Sequence, residues 1–260
     1  MLVADIALTT LAQLAQGQDW RLHLVHDAPH HMLIWITRGQ GVALLDGMRR
    51  GVGANNVLFV PAGSLFALQM GRQSMGQAVL VRDGTALRLP EIPRHLRIRD
   101  AKPQTELTAL IEAAGREQQQ RRALFNDALE AHAALISVWL RRQIALDEHV
   151  PDKRNAAGRL SAKYCALLAA HYRTGQPMAH YAEMLGVTPT HLSRAVKAST
   201  GKTAADLLTD RVHHAARLLL YDTKEPAQNI ARHLGFRSAA YFTRFMQHHT
   251  GLTPSNLRVA

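Results

Sequence analysis

The sequence predicts an α+β protein: a β-rich N-terminal half in the form of a barrel, then a helical segment, then an all-α C-terminal domain with two similar helical units. Three observations predict it. Short apolar runs punctuated by glycine fill the first hundred residues, a glycine-poor stretch of helical periodicity follows, and the last hundred residues contain an internal repeat.

The 260 residues leave room for two ordinary domains, and a hydrophobic content of 47% supports packed cores. No apolar run approaches the ~18–20 residues of a membrane helix. The stretch from Met1 to Gln13 lacks a basic region and carries Asp5 early, so no signal peptide is read there. Cys165 is the only cysteine, which excludes an intrachain disulfide and a cysteine-rich zinc site. It lies in a helical apolar context, as a core residue would. A cytoplasmic location and no membrane partner are the expectations.

From Trp20 to about Ile98 the chain reads as short strands. Met32 to Thr37 ends at Gly39-Gln40-Gly41, Val42 to Asp46 turns at Gly47, Val57 to Val60 stops at Pro61-Ala62-Gly63, and Gln77 to Val81 follows. Such spacing argues for a compact β-sandwich or barrel. Trp35, Phe59 and Phe66 are candidates to line an apolar effector pocket inside it, or to fill its core. Isolated histidines such as His23, His26 and His132 are read as composition.

Between Pro103 and Leu146, Leu, Ala, Glu, Gln and Arg dominate, as in helices. Leu124, Ala128, Ala131, Leu135 and Val138 recur at intervals of four and three, with Leu129, Ile136 and Leu140 beside them. Either the barrel or a partner helix in a homodimer would cover such a stripe. Glu148 to Arg159, with Pro151 and Gly158, reads as a linker. The expected division is therefore a barrel at 1–100, a helical dimerisation segment at 101–147, a linker at 148–159 and a helical domain at 160–260.

The net charge of +11 is uneven. Residues 1–151 hold 16 Lys and Arg against 14 Asp and Glu, whereas residues 152–260 hold 15 against 6. A basic excess confined to one segment points to a polyanionic partner there.

The repeat lies in that basic segment. Ala182-Glu-Met-Leu185-Gly186-Val187 matches Ala231-Arg-His-Leu234-Gly235-Phe236 at an offset of 49. Leu192-Ser-Arg194 matches Phe242-Thr-Arg244, and Thr200-Gly201 matches Thr250-Gly251, both at 50. Each copy has the grammar of a helix-turn-helix. A short helix, about Met178–Leu185 or Ala227–Leu234, ends at a glycine free to turn left-handed. Thr188 and Ser238 are N-caps for a second helix, with Pro189 at a tolerated first position. In the second helices Leu192 and Val196, or Phe242 and Met246, point inward. Thr190, Ser193, Arg194 and Lys197 then face outward in one copy, and Ala240, Tyr241, Thr243, Arg244 and Gln247 in the other. A polar, basic outer face suits entry into a DNA major groove. Between the copies Ala204 to Tyr221 forms a helix of roughly 26 Å, with Leu208, Val212, Ala215, Ala216 and Leu219 along one side. It can hold two recognition helices about one duplex turn apart.

From about Leu160 to Arg258 the sequence resembles the AraC/XylS family of transcription regulators. The resemblance rests on His191-Leu-Ser-Arg194, the Thr200-Gly201 corner, and Arg211, Ala215 and Leu218-Leu219 in the linking helix. Ile230-Ala231 before Leu234-Gly235-Phe236, Tyr241-Phe-Thr-Arg244, and Thr250-Gly-Leu-Thr-Pro254-Ser-Asn-Leu-Arg258 complete it. Two departures stand out. The family's Phe-Lys pair is Val196-Lys197 in the first copy and Met246-Gln247 in the second, and Ala239-Ala240 offer bases little hydrogen bonding. The resemblance implies double-stranded DNA as partner, with the first unit reading sequence more strongly than the second. Arg194 would contact base edges, as arginine bonds guanine O6 and N7 together. Thr188, Thr190 and Ser193 would assist; Lys197, Arg237 and Ser238 would hold phosphate; Tyr241, Thr243 and Arg244 would serve the second unit. It also implies a one-component activator, dimeric, with a small-molecule effector and RNA polymerase as a further contact.

The β-rich half resembles the cupin-like sensor and dimerisation domain of that family, through Gly39-Gln40-Gly41 and Asn56 to Gly63. The metal-binding histidine pattern is missing. His30 and His31 are adjacent and face opposite sides of a strand, and no histidine follows Pro61-Ala-Gly63. No metal, no cofactor and no catalytic residues are therefore expected. Two other readings remain open: a metal-dependent cupin enzyme with a DNA-binding appendage, and a regulator whose N-terminal half only dimerises.

Overall fold

A computed structural model describes residues 5–146 and 154–258. The first half contains eight strands: β1 (Ile6–Thr10), β2 (His30–Arg38), β3 (Gln40–Leu45), β4 (Met48–Gly53), β5 (Asn56–Val60), β6 (Phe66–Met70), β7 (Met75–Arg82) and β8 (Arg94–Arg97). Two short helices, α1 (Leu11–Ala15) and α2 (Trp20–His23), separate β1 from β2. The strands form two antiparallel sheets, one of order β1-β7-β2-β5-β8 and the other β4-β3-β6. The barrel expectation resolves into this open sandwich rather than a closed cylinder.

The strands read as unbroken apolar runs because the layers bury both of their faces. Between the sheets lie Ile34, Ile36, Leu58, Val60, Phe66 and Leu68. The opposite face of the larger sheet, with Leu33, Trp35, Val57 and Phe59, packs on α3 (Ala101–Gln120) and α4 (Phe125–Ala145) through Leu107, Ile111, Ile136 and Trp139. The Gln118 side chain ties α3 to β1, accepting from the Leu8 amide at 2.6 Å and donating to the Leu8 carbonyl at 2.8 Å. Arg121 and Leu124, both at positive φ, break what the composition reads as one helical stretch into two.

The outer face of the smaller sheet belongs to the C-terminal core: Val25, Leu44, Leu65 and Ala67 pack with Tyr164, Leu168, Leu192 and Val196. The helices there are α5 (Ala156–His171), α6 (Met178–Met184), α7 (Pro189–Thr200), α8 (Ala204–Asp222), α9 (Ala227–His233), α10 (Ala239–Thr250) and α11 (Pro254–Leu257), with a 3-10 turn at Tyr172–Thr174. Of the expected linker, residues 148–153 lie outside the described residues, while 156–159 are already helical. Asn155 caps that helix, its Oδ1 accepting from the Gly158 amide at 2.9 Å. The start of α5 is fastened to the β3–β4 turn, where Ser161 Oγ donates to the Gly47 carbonyl at 2.7 Å and Arg154 pairs with Asp46. Cys165 is buried, and burial pushes its thiol up to about 12. No helix among the described residues is long and apolar enough to cross a membrane, and none of their His, Cys, Asp and Glu side chains cluster in threes to hold a metal ion.

Candidate nucleic-acid interface

The two helix-turn-helix units are built by the same backbone devices. After α6 the chain turns through Gly186 (φ +66°), and after α9 through Gly235 (φ +77°). Only glycine adopts this left-handed conformation without strain. In each turn the following apolar residue returns its amide to the first helix: Val187 N to Ala182 O at 3.0 Å, and Phe236 N to Ala231 O at 2.9 Å. The next helices start on side-chain caps, with Thr188 Oγ1 accepting from His191 N and Ser238 Oγ from Tyr241 N, both at 3.2 Å. Each cap satisfies an amide that the first turn leaves unpaired.

The far ends match as well. Gly201 and Gly251 terminate α7 and α10 in the left-handed region. The Thr200 hydroxyl donates to Val196 O at 2.8 Å and accepts from Lys202 N at 3.1 Å; the Thr250 hydroxyl repeats this with Met246 O and Leu252 N. Thr203 and Thr253, three residues beyond each of these, cap α8 and α11. The repeat thus extends further than its matched letters.

Leu192 and Val196 on α7, and Phe242 and Met246 on α10, are fully buried and fix the inward faces. Outward, Thr188, Thr190, Arg194 and Lys197 are exposed and Ser193 is half-buried. Arg237, Ser238, Tyr241 and Arg244 are exposed and Thr243 is half-buried. Ser193 and Thr243 occupy equivalent places, as the offset of 50 requires. His191, named in the motif but not among the expected contacts, is exposed in the first turn of α7 at the position Tyr241 holds in α10, an equivalence the offset of 50 gives.

The brace α8 is gripped by the N-terminal domain. Buried Arg211 donates Nε to Asp27 Oδ1 at 2.6 Å, and its guanidinium lies 3.6 Å from the Tyr172 ring centre. Arg21 pairs with Asp222 at 2.9 Å. His26 and His214 stack with ring centres 4.3 Å apart. His26 Nδ1 donates to Leu24 O at 2.8 Å and His214 Nε2 to Arg21 O at 3.1 Å. Burial lowers His26 to about 4 and His214 to about 2, the latter aided by His26 and Arg211. Both rings are therefore neutral near pH 7. His26 is a member of this junction and not a stray of composition. The apolar side read for the brace is incomplete: Leu208, Val212 and Leu219 are only half-buried, while Arg211 and His214 are buried at this junction and His213 against Phe245 and His249 of α10.

The expected effector residues do not come together. Trp35 and Phe59 point toward α3 and α4, with Trp35 Nε1 donating to Thr108 Oγ1 at 3.3 Å, while Phe66 lies between the sheets. Trp35 and Phe59 sit on the helix-facing side of the larger sheet, whereas Phe66 belongs to the smaller sheet and faces into the sandwich. All three are fully buried, and the hollow beside Phe59 measures about 10 Å³.

The family model for the helix-turn-helix domain matches residues 181–260. The arabinose operon regulatory protein of Salmonella typhimurium is 26% identical over 126 residues, 48% of this chain and 43% of that protein. The likeness to known regulators is confined to the C-terminal part of the chain, where the helix-turn-helix model matches. An uncharacterized HTH-type transcriptional regulator of Staphylococcus aureus is 34% identical over 95 residues, 36% of this chain and 13% of that protein. The matched stretches thus span less than half of either relative. Among solved structures, ToxT from Vibrio cholerae O395 aligns over 98% of this chain and 97% of its own, with 9% identity and a TM-score of 0.42. The C-terminal domain of AraT, a response regulator from Geobacillus stearothermophilus, aligns over 42% of this chain and 88% of its own, with 24% identity and a TM-score of 0.37. The matched residues take in the chain from within α6 through α7, the brace α8, α9, α10 and α11.

Proposed function

We propose that this chain is a sequence-specific DNA-binding regulator of transcription, working as an activator through contact with RNA polymerase. The observation that carries this reading is the duplicated, capped pair of exposed helices α7 and α10 on one brace, α8. In it α7 reads sequence, with Arg194 on guanine edges supported by Thr188, Thr190 and Ser193, and Lys197 on phosphate. The second unit holds register: Arg237 and Ser238 grip the backbone at the start of α10, and Tyr241, Thr243 and Arg244 follow along it. Ala239 and Ala240 leave its first turn poor in hydrogen-bonding groups.

The regulator acts as a homodimer in this reading. Support comes from α4, where Ala128, Ala131, Leu135 and Val138 face away from the sheet with Leu135 52% exposed; Leu124, expected in the same stripe, precedes the helix in a left-handed conformation and is 75% exposed. Effector control belongs to the same reading. The filled sandwich favours an alternative in which the N-terminal half only dimerises, and a ligand screen by thermal shift separates the two, since a ligand of the native state raises its melting point.

The test is selection of duplexes from a random pool by the full chain, followed by gel shifts at moderate salt. A preferred sequence spanning two major-groove segments one turn apart is the expected result. Binding that any competitor duplex displaces equally would overturn the regulator.

A further inference from the structure

Residues 1–151 are near neutral overall, yet one arginine there stands beside the end of α7. Arg49 is exposed on β4, an edge strand of the smaller sheet. Strand alternation turns its neighbour Arg50 to the other face of that sheet. Arg49 runs over the corner that ends α7, its Cδ 3.7 Å from where a Cβ on Gly201 would stand. Between β4 and the end of α7 the surface opens into a hollow of about 370 Å³, with Arg49 and Gly51 on one side and Lys197, Ala198 and Gly201 on the other.

The hollow is cationic and uncompensated. Among the described residues no acidic side chain lines it, and Arg49 has no ion-pair or hydrogen-bond partner. Lys202, at the same corner, is by contrast already paired with Asp210 at 2.5 Å. The approach is open, since a Cβ added at Gly51 would meet nothing within 4 Å. An arginine on an edge strand also guards against strand pairing, but that role asks for no second cation across from it. Here Lys197 supplies one.

The position of the hollow says what the two cations face. Arg194, Lys197, Ala198 and Gly201 follow one another at helical spacing down an exposed flank of α7. From Arg194 to Gly201 is roughly 10 Å along the helix axis, against ~12 Å for the width of a major groove. A helix with Arg194 on base edges therefore meets the bordering sugar-phosphate strand near its Gly201 end, where the hollow lies.

We propose that Arg49 is a DNA-backbone contact, sharing with Lys197 the phosphates that border the groove entered by α7. This rests on the DNA-binding reading above and extends the interface from the helical domain to the sheet. A guanidinium takes two phosphate oxygens through parallel hydrogen bonds, so a duplex seated on α7 is also held by β4. The duplex then bridges the seam between the domains, and its affinity is tied to their docked arrangement.

The experiment measures binding of the full chain to its selected duplex and to a random one across a salt series, for the native protein, R49Q, R49K and Gly51→Lys. R49Q weakens both duplexes alike, by about threefold or more at moderate salt, and lowers the logarithmic salt slope by about one. R49K keeps the slope, because one positive charge remains. Gly51→Lys raises it by about one, adding a cation where nothing in the protein crowds it. The slope counts released counterions, not fold stability, so an Arg49 that only packs the domains together would leave it in place. A slope unchanged in R49Q overturns the contact whatever Gly51→Lys does, and so does a slope lost equally in R49K. A chain that prefers one sequence but keeps its slope in R49Q loses the contact and keeps the regulator. One that prefers no duplex, yet loses a unit of slope in R49Q, loses the regulator and keeps the contact.

Discussion

The two helix-turn-helix units share their turns and caps but differ in what surrounds them. The first has an open turn, since a Cβ added at Gly186 would meet nothing within 4 Å. The end of its recognition helix α7 lies against β4. The second has a closed turn: a Cβ at Gly235 would stand 2.4 Å from Gly175 N and 2.6 Å from Arg173 O, on the segment that follows α5. Its turn is padded by rings, with Phe236 centred 5.1 Å from Phe242 and 5.2 Å from Phe245. One motif has been kept free to present side chains, and the other anchored to hold the domain together. The polar groups follow that division, with Arg194 and Lys197 on the free unit and alanines at the start of α10 on the anchored one.

The sharpest way to break this comparison is a matched pair of glycine substitutions. Gly235→Ala adds left-handed strain to a clash with fixed backbone and should cost about 3–4 kcal/mol. Gly186→Ala carries only the strain, about 1–2 kcal/mol. Equal losses in urea denaturation would erase the distinction.

Next in size is the pH response of the junction. His26 and His214 are lowered from 6.5 to about 4 and about 2. Below pH 6.5 the unfolded chain takes up protons that the folded chain refuses, so stability is fully present above that pH and falls as pH drops toward 4. For His26 alone the loss is roughly 3 kcal/mol across that window. His214→Gln should flatten the fall in melting temperature between pH 6.5 and 4, and an unaltered slope would remove the pair from the account.

On DNA, Arg194→Ala should cost about 1–3 kcal/mol at the selected site and relax sequence preference, while Arg244→Ala costs less than about 1 kcal/mol. The reverse order in quantitative gel shifts would exchange the roles of the units. The smallest effect concerns salt. Lys197→Ala should lower the logarithmic salt slope by about one, and Gln247→Lys should raise it by about one.

The helix-turn-helix units were legible because their determinants are local. A cap such as Thr188 or Ser238 acts within three residues, a left-handed glycine such as Gly186 within one turn, and the offset of 49 then 50 places both copies in register. The sandwich was legible as a class and less so in its parts. Strand β4 reads Met-Arg-Arg-Gly-Val-Gly, an edge strand with almost no apolar signal. In β2 and β5 both faces are covered, so the letters do not tell which way Trp35 or Phe59 points. Arg211 and His214 were unreadable as interior residues because their partners Asp27 and Arg21 lie 184 and 193 positions away.

Those distant contacts have a mechanical meaning. At Arg211 and Asp222 the N-terminal half clasps the shaft on which both helix-turn-helix units are mounted, and β4 touches the end of the first. Whatever tilts that clasp swings both heads as one body, so their phasing along the duplex is preserved while their approach to it changes. In the proposed regulator, such a coupling would give or remove the whole footprint at once.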